Sequence, residues 1–477
     1  MQNHKIIKTL ASLAPETCRR FSSFLASPYH TKSSKLKALG LYLLSHYPDF
    51  DSPDFTESNI YHSFYPEKAF SKHELTRYFS KLRALLDDFF IQESLDNSPF
   101  MKGALLEKYY YELMNEAGLQ KARKANLDQL KNSIPVESVN HFYTYLSQKT
   151  KHKALMQQVV KLGAKEVYIE AAGALHSYFL IELLQAATVL VYQHKFENPS
   201  SVLPLLEQSV NYAKSNVKTL PFLAKLWLFA YQLAFNPNDI EAYSSLKQAF
   251  KSNLKKLGIA DGRNFAVILA WSLRFRDKLS RAKLIEESFE FYLIEIQESW
   301  IIVDHTIPFT TFNNVVSVAL ALKQIAWAED FIQGHQQYLA EAVREDVSKY
   351  NFAKIHFIRG DYQACLKNTR TLPFLNVTVT LGIKRLEIMC FFELRKIDAF
   401  FRAIHAFTMF LHRLDAKYAR YGETNSLFIK FVKDLFRYLE KGNSLTDESL
   451  KKMEETLSQN CFLPEAEWIQ LKIDSMK

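Results

Sequence analysis

Glycine and proline are scarce. The chain of 477 residues holds 12 Gly and 14 Pro, where average usage is roughly 7% and 5%. Few turn formers mean few turns per residue. That excludes sandwiches, barrels and propellers, whose strands need a turn every ~8–12 residues. Neither glycine-rich phosphate-loop pattern is present, so no local motif cradles a nucleotide. Cysteine is rarer still. Cys18, Cys365, Cys390 and Cys461 are scattered without a C-x-x-C pair, which removes zinc ribbons and thioredoxin-type redox sites. Sparse thiols fit a reducing compartment, and a cytoplasmic location is expected. None of the 14 His has a Glu three residues before it, and the closest pair, His405 and His412, is seven apart. At about 1.5 Å rise per residue that is about 10 Å, too far to share one metal. The longest stretch free of Asp, Glu, Lys and Arg, residues 305–322, contains His305, Pro308, two Asn and three Thr. It is a poor membrane span, and no membrane partner is expected. The N-terminal segment lacks the apolar run of a secretory signal. Its basic character is read as that of an ordinary first helix pair.

What the chain has is apolar periodicity and uneven charge. Hydrophobic residues make up 48% and charged residues 23%, a soluble globular balance. At this length two or more domains or an elongated array are expected. The net charge is +9, and the excess lies in the first third. Residues 1–48 carry seven Lys/Arg against one Glu, residues 49–100 five against ten acids, and residues 101–165 eleven against five. Leu75, Tyr78, Phe79, Leu82, Leu85, Leu86, Phe89 and Phe90 recur at spacings of three and four, which predicts a helix over 72–90 with one buried face. Ser71 and Glu74 form a capping box ahead of it. Asn238, followed by Glu241, reads as a second cap, and Thr446 as a third. No alternating strand pattern is convincing. Roughly twenty helices with almost no sheet are expected.

The second half repeats at a spacing of 35 residues. Leu320, Ile355 and Cys390 align, as do Leu322, Phe357 and Phe392; Trp327, Tyr362 and Ile397; and Phe331, Leu366 and Phe401. All twelve positions are apolar. A helix pair of about 34 residues cannot bury both faces alone, so pairs stack and large residues return at the seam. The copy Asn351-Phe-Ala-Lys-Ile-His-Phe-Ile-Arg-Gly-Asp-Tyr-Gln-Ala-Cys-Leu366 resembles a tetratricopeptide (TPR) repeat, with Gly360-Asp361-Tyr362 at the helix–turn–helix joint. Pro237-Asn-Asp-Ile-Glu-Ala-Tyr-Ser-Ser-Leu246 resembles the entry to a first helix of the same kind, with Tyr243, Leu246 and Phe250 at its large positions. Cys365 stands where that family usually carries alanine, and the copies flanking Gly360 lack the joint glycine. The resemblance implies an α-solenoid of antiparallel helix pairs. The seam residues singled out are Leu322, Trp327, Phe331, Phe357, Gly360, Tyr362, Leu366, Phe392, Ile397 and Phe401.

The first hundred residues differ. Phe24-Leu-Ala-Ser-Pro-Tyr29, Leu43-Leu-Ser-His-Tyr-Pro-Asp-Phe50 and Phe64-Tyr-Pro66 resemble the start of a family of large, helical, uncharacterised bacterial proteins. That likeness implies an architecture and supplies no chemistry. Phe64-Tyr-Pro-Glu-Lys-Ala-Phe70 followed by Leu75, Leu82, Arg83 and Leu86 also resembles winged-helix domains of bacterial transcriptional activators. In that reading Lys72, Arg77, Lys81 and Arg83 would face phosphates and bases. One short strand is expected at 90–95, and no second strand of a wing is evident.

Local catalytic signals are absent. Cys365 with His356 and Cys390 with His405 are the nearest nucleophile–base combinations, and all four sit in the repeats, where the thiols read as buried core. Lys121, Arg123, Lys124 and Lys131, followed by Lys149, Lys151 and Lys153 and preceded by Tyr109-Tyr110-Tyr111, read as a solvated helix face. The other use of such a set is stacking and pairing with single-stranded nucleic acid. The aromatic-rich stretch 390–414 reads as repeat core. The expectation is an all-α chain with an N-terminal helical domain over 1–97 and a TPR-like domain over 98–477. It needs no cofactor and no metal, and it is not an enzyme. It is a scaffold binding a peptide or partner protein in a concave groove. The alternative is a DNA-binding regulator reading DNA through residues 54–96.

Overall fold

The computed structural model describes residues 4–134, 136–157, 163–194, 198–273, 281–370, 372, 376–414, 419–441, 447–459, 463 and 465–476. Thr446 and Cys461 lie outside the described residues. Among those residues are 23 α-helices, three 3-10 turns and no strand; a single antiparallel bridge joins Val303 and Thr306. The chain is all-helical. It divides into two compact units, Met1–Ser133 with Ser138–Phe179, and Ile134–Glu137 with Leu180–Lys477.

In the first unit, helices Lys5–Ala11, Pro15–Ala26, Ser34–Leu44, Glu57–His62 and Lys72–Asp96 enclose one core. The last of these turns the expected stripe inward: Leu75, Tyr78, Phe79, Leu82, Leu85, Leu86 and Phe89 are all buried. Each such side chain, removed from water, contributes roughly 1.5–3 kcal/mol. Ser71 caps this helix through its Oγ, which accepts from the Glu74 N–H at 3.3 Å. The Glu74 carboxylate accepts instead from the Tyr61 hydroxyl at 2.6 Å and the Lys68 ammonium at 2.8 Å.

The expected strand at 90–95 is helix. The chain runs helical to Asp96 and closes at Asn97. Two contacts tie its last turns to helical geometry: Gln92 donates to Asp96 four residues on, and Arg20 pairs with Glu93 at 2.7 Å. Next come Pro99–Glu112, Glu116–Lys131 and Ser138–Met156, which pack on one another.

The second unit has a first core around Trp227, fully buried and 4.7 Å from the Phe265 ring. Helices Leu206–Ser215, Phe222–Phe235, Ile240–Lys251, Ile259–Leu273 and Arg281–Gln297 supply it. The helix Ile240–Lys251 is capped by Asp239, whose carboxylate accepts from the Ala242 N–H at 2.9 Å, and not by Asn238. The Asn238 N–H is turned to the Asn236 side chain at 3.2 Å, so the cap falls one residue later.

Three helix pairs follow: Phe309–Ala321 with Ile325–His335, Glu341–Ile358 with Tyr362–Thr369, and Val377–Glu393 with Ile397–His412. Within each pair the joint is the same. At the first, Lys323 N–H donates to the Leu320 carbonyl and Gln324 N–H to Ala319; at the second, Gly360 to Phe357 and Asp361 to His356; at the third, Arg395 to Phe392 and Lys396 to Phe391. These are Schellman closures, which need one left-handed residue. Lys323 (φ 58°), Gly360 (φ 81°) and Arg395 (φ 50°) supply it. The first unit contains a fourth copy, between Pro99–Glu112 and Glu116–Lys131, with Met114 at φ 54°. The joint therefore recurs where the glycine does not. Helices Ala419–Lys441, Asp447–Gln459 and Ala466–Asp474 complete the unit.

Of the described helices, one, Ala164–His194, is long and apolar enough to cross a membrane.

Candidate functional site

In the second unit the first helices of the three pairs lie against one another in chain order. Their apolar positions build the core, and a line of polar side chains crosses between them. Asn351 is fully buried. Its Nδ2 donates to the Asn313 Oδ1 at 2.6 Å and to the Val347 carbonyl at 2.9 Å. One turn on, the Lys354 ammonium donates to the Ser317 Oγ at 2.9 Å and the Asn351 Oδ1 at 3.0 Å, and lies 4.3 Å from the centre of the Tyr350 ring. Tyr350 fits because Gly382, on the next helix, has no side chain: a Cβ there would occupy the site of the Tyr350 hydroxyl.

Electrostatics single out Lys354. Among the described residues no carboxylate stands within ion-pair distance of it. Burial pushes its ammonium down to about 7, Arg385 acts in the same direction, and Glu465 opposes them. Burial likewise pushes the Tyr350 phenol up to about 12. Beyond Lys354 the polar line continues, but paired. Arg385 donates to Asn425 at 2.9 Å and to Glu465 at 3.3 Å. The arrangement is thus a lysine amine held by neutral amide and hydroxyl oxygens with no carboxylate in ion-pair contact, a setting in which an anion is attracted and fixed by hydrogen bonds.

Sequence reasoning passed over these residues because it followed the apolar seam. The signal was there: Phe312-Asn313 and Tyr350-Asn351 place an aromatic–asparagine step, and Ser317 and Lys354 a second polar interruption, on otherwise apolar faces.

The seam residues divide into four groups. Phe331, Leu366 and Phe392 are buried at 3%, 2% and 2% exposure. Leu322, Trp327, Phe357 and Tyr362 are half-buried. Trp327 stacks on Phe331 at 5.5 Å and meets Phe289 at 4.9 Å, and Tyr362 packs on Phe357 at 5.5 Å. Gly360 forms the joint described above. Ile397 (48% exposed) and Phe401 (37%) stand on the outer side of their helix, where Phe400, Ile404 and Phe407 turn inward. Phe400 stacks on Phe436 at 4.2 Å. In this copy the inward face begins one residue earlier than the 35-residue spacing places it.

Lys72, Arg77, Lys81 and Arg83 are all exposed. Each is engaged: Lys72 with Glu57 at 3.3 Å, Arg77 with Glu74 at 3.7 Å, Arg83 with Asp87 at 3.1 Å, and Lys81 over the Tyr78 ring.

The two thiols of the repeats are brought to each other and not to histidines. Cys365 and Cys390 are fully buried, and the contact with Cys365, together with burial, raises the Cys390 thiol far above the ordinary range. His356 faces Asp361 at 3.9 Å, and His405 is exposed. Burial raises several acids as well, Glu107 and Glu387 among them. Burial pushes Glu295 up to about 7 and Asp261 up to about 6, with Glu137 and Glu182 adding to the latter. Among the described residues no group of three His, Cys, Asp or Glu side chains is placed to hold a metal ion.

No known protein family, curated protein or solved structure matches the chain.

Proposed function

We propose that this chain is a non-catalytic binding scaffold whose helix pairs stack in the TPR manner, and that the face formed by the first helices of the pairs holds a peptide or extended segment of a partner protein. One observation carries the reading: the Lys354 amine, set among Asn313, Ser317 and Asn351, has no carboxylate in ion-pair contact at the centre of a polar line. A carboxylate of a bound peptide, from a side chain or a chain end, would draw the amine into its charged form and accept from it. The apolar seam fixes the spacing of the helices, and the polar line reads the ligand. Recognition then rests on preorganised groups, which lowers the ordering cost of binding.

The test is selection of a displayed random-peptide library on the full chain, with parallel selections on Lys354→Glu and Asn351→Ala. Enrichment of acidic or free-carboxylate peptides, lost with Lys354→Glu, supports the reading. Failure to enrich any sequence, or enrichment that both substitutions leave unchanged, overturns it.

A further inference from the structure

A second set of cations lies in the first unit, away from the polar line of the repeats. Helices Glu116–Lys131 and Ser138–Met156 leave between them a cavity of about 510 Å³. Its floor is apolar, from Leu119, Leu127 and Leu155, and its walls carry Arg123, Lys124, Lys131 and Lys151. Two carboxylates, Glu116 and Asp128, also reach it, so the lining carries a net charge of +2. Lys124, Lys131 and Lys151 have no carboxylate within ion-pair distance among the described residues.

Arg123 is the built element. It is half-buried, its Nη2 donates to the Gln148 Oε1 at 2.6 Å, and Gln148 in turn donates to Glu170 at 2.6 Å. The Arg123 Nε is buried with no hydrogen-bond partner. A second cleft, of about 160 Å³, shares Glu116, Leu119 and Ala154 with the first and is walled by Tyr110 and Tyr111. The sequence placed these lysines and tyrosines in one region. The fold puts four of the cations around one cavity and two of the rings beside it.

We propose that this cavity binds a phosphate monoester carrying a ring system, the chemistry of a nucleotide. The volume is that of a single small-ligand site, roughly 300–1,000 Å³. A phosphate monoester brings about −1.5 to −2 at neutral pH, which matches the +2 of the lining. The ammonium groups of Lys124, Lys131 and Lys151 line the cavity as donors to phosphate oxygens, and Arg123, held by Gln148, adds its charge beside them. The apolar floor and the adjoining tyrosines accept the ring system.

The test uses the full chain in a buffer of about 20 mM salt, titrated calorimetrically with AMP, adenosine and inorganic phosphate. One saturable AMP site is expected, competed by inorganic phosphate and not filled by adenosine alone. The charge reversal Lys124→Glu with Lys151→Glu should weaken AMP at least tenfold. Lys131→Glu, a single exposed change, gives the same reading should the double variant fail to fold by circular dichroism. Absence of saturable AMP binding, or binding untouched by the reversals, overturns the proposal. So does a single-stranded oligonucleotide that binds where AMP does not, since that marks an extended polyanion surface and no nucleotide-sized site.

Discussion

Replacing Lys323 and Arg395 together with glycine should stabilise the protein. Both residues hold left-handed backbone, at φ 58° and 50°. Both side chains are exposed, and neither forms an ion pair among the described residues. The substitution therefore acts on the backbone alone. A residue with a Cβ costs roughly 1–2 kcal/mol in this conformation, and the greater chain entropy of unfolded glycine returns roughly 0.5–1 kcal/mol of that. The net gain is about 0.5–1 kcal/mol per joint. The two joints share no partners, so the effects add to about 1–2 kcal/mol. Urea unfolding followed by far-UV circular dichroism would read this as a higher midpoint at constant slope. The reverse control is Gly360→Ala, at φ 81°, which should lose about 1 kcal/mol. A double glycine variant with an unchanged or lower midpoint would refute the reasoning, because the closures would then not impose the strain their angles imply.

Glu295→Gln should remove a pH dependence. Burial holds the native carboxyl at about 7, well above the ordinary 4.5, so the native state favours the proton. The stability this gives is fully present below pH ~4.5 and is lost as pH rises through 7, by roughly 3 kcal/mol. Wild-type urea midpoints should fall from pH 5 to pH 8 relative to those of the variant, and parallel curves would contradict the assignment. Lys354 should titrate near neutrality, since burial holds it at about 7. In ¹³C-lysine NMR one side-chain resonance should move near pH 7 and vanish in Lys354→Met. Gly382→Ala drives a Cβ into the Tyr350 hydroxyl and should cost about 1–3 kcal/mol. Tyr350→Phe in the same chain should recover part of that loss, and no recovery would place the strain elsewhere. The DNA-reading alternative predicts retardation of duplex DNA by the full chain at low salt, falling steeply as salt rises.

Much of the fold was readable because helical burial leaves a periodic trace. The stripe from Leu75 to Phe89 is buried as its spacing implies, and Leu320, Ile355 and Cys390, spaced by 35 residues, are buried as well. The misreadings have local causes. The segment 90–95 reads as a strand in isolation, but contacts from distant residues such as Arg20 keep it helical. Phe400 and Phe401 are adjacent aromatics that both meet Phe436, Phe400 stacked at 4.2 Å and Phe401 edge-on at 5.8 Å, and only that tertiary packing sets which of them turns inward. The polar line was hidden because the search followed apolar residues, while Asn313, Asn351 and Lys354 acquire meaning only once their helices lie side by side. Joints without glycine were hidden because the rule linking left-handed backbone to glycine is a preference of about a kilocalorie, which tertiary packing can override.

The closure at each hairpin is made by main-chain atoms. The side chain at its crest therefore points to water and is constrained by the left-handed backbone alone, as the exposed methionine, lysine and arginine at residues 114, 323 and 395 illustrate beside the glycine at 360. Exchange among residues with a side chain leaves the closure intact, and only the step to or from glycine changes its energy, by about 1 kcal/mol. New contacts for other molecules can be gained at those tips without a rearrangement beneath them.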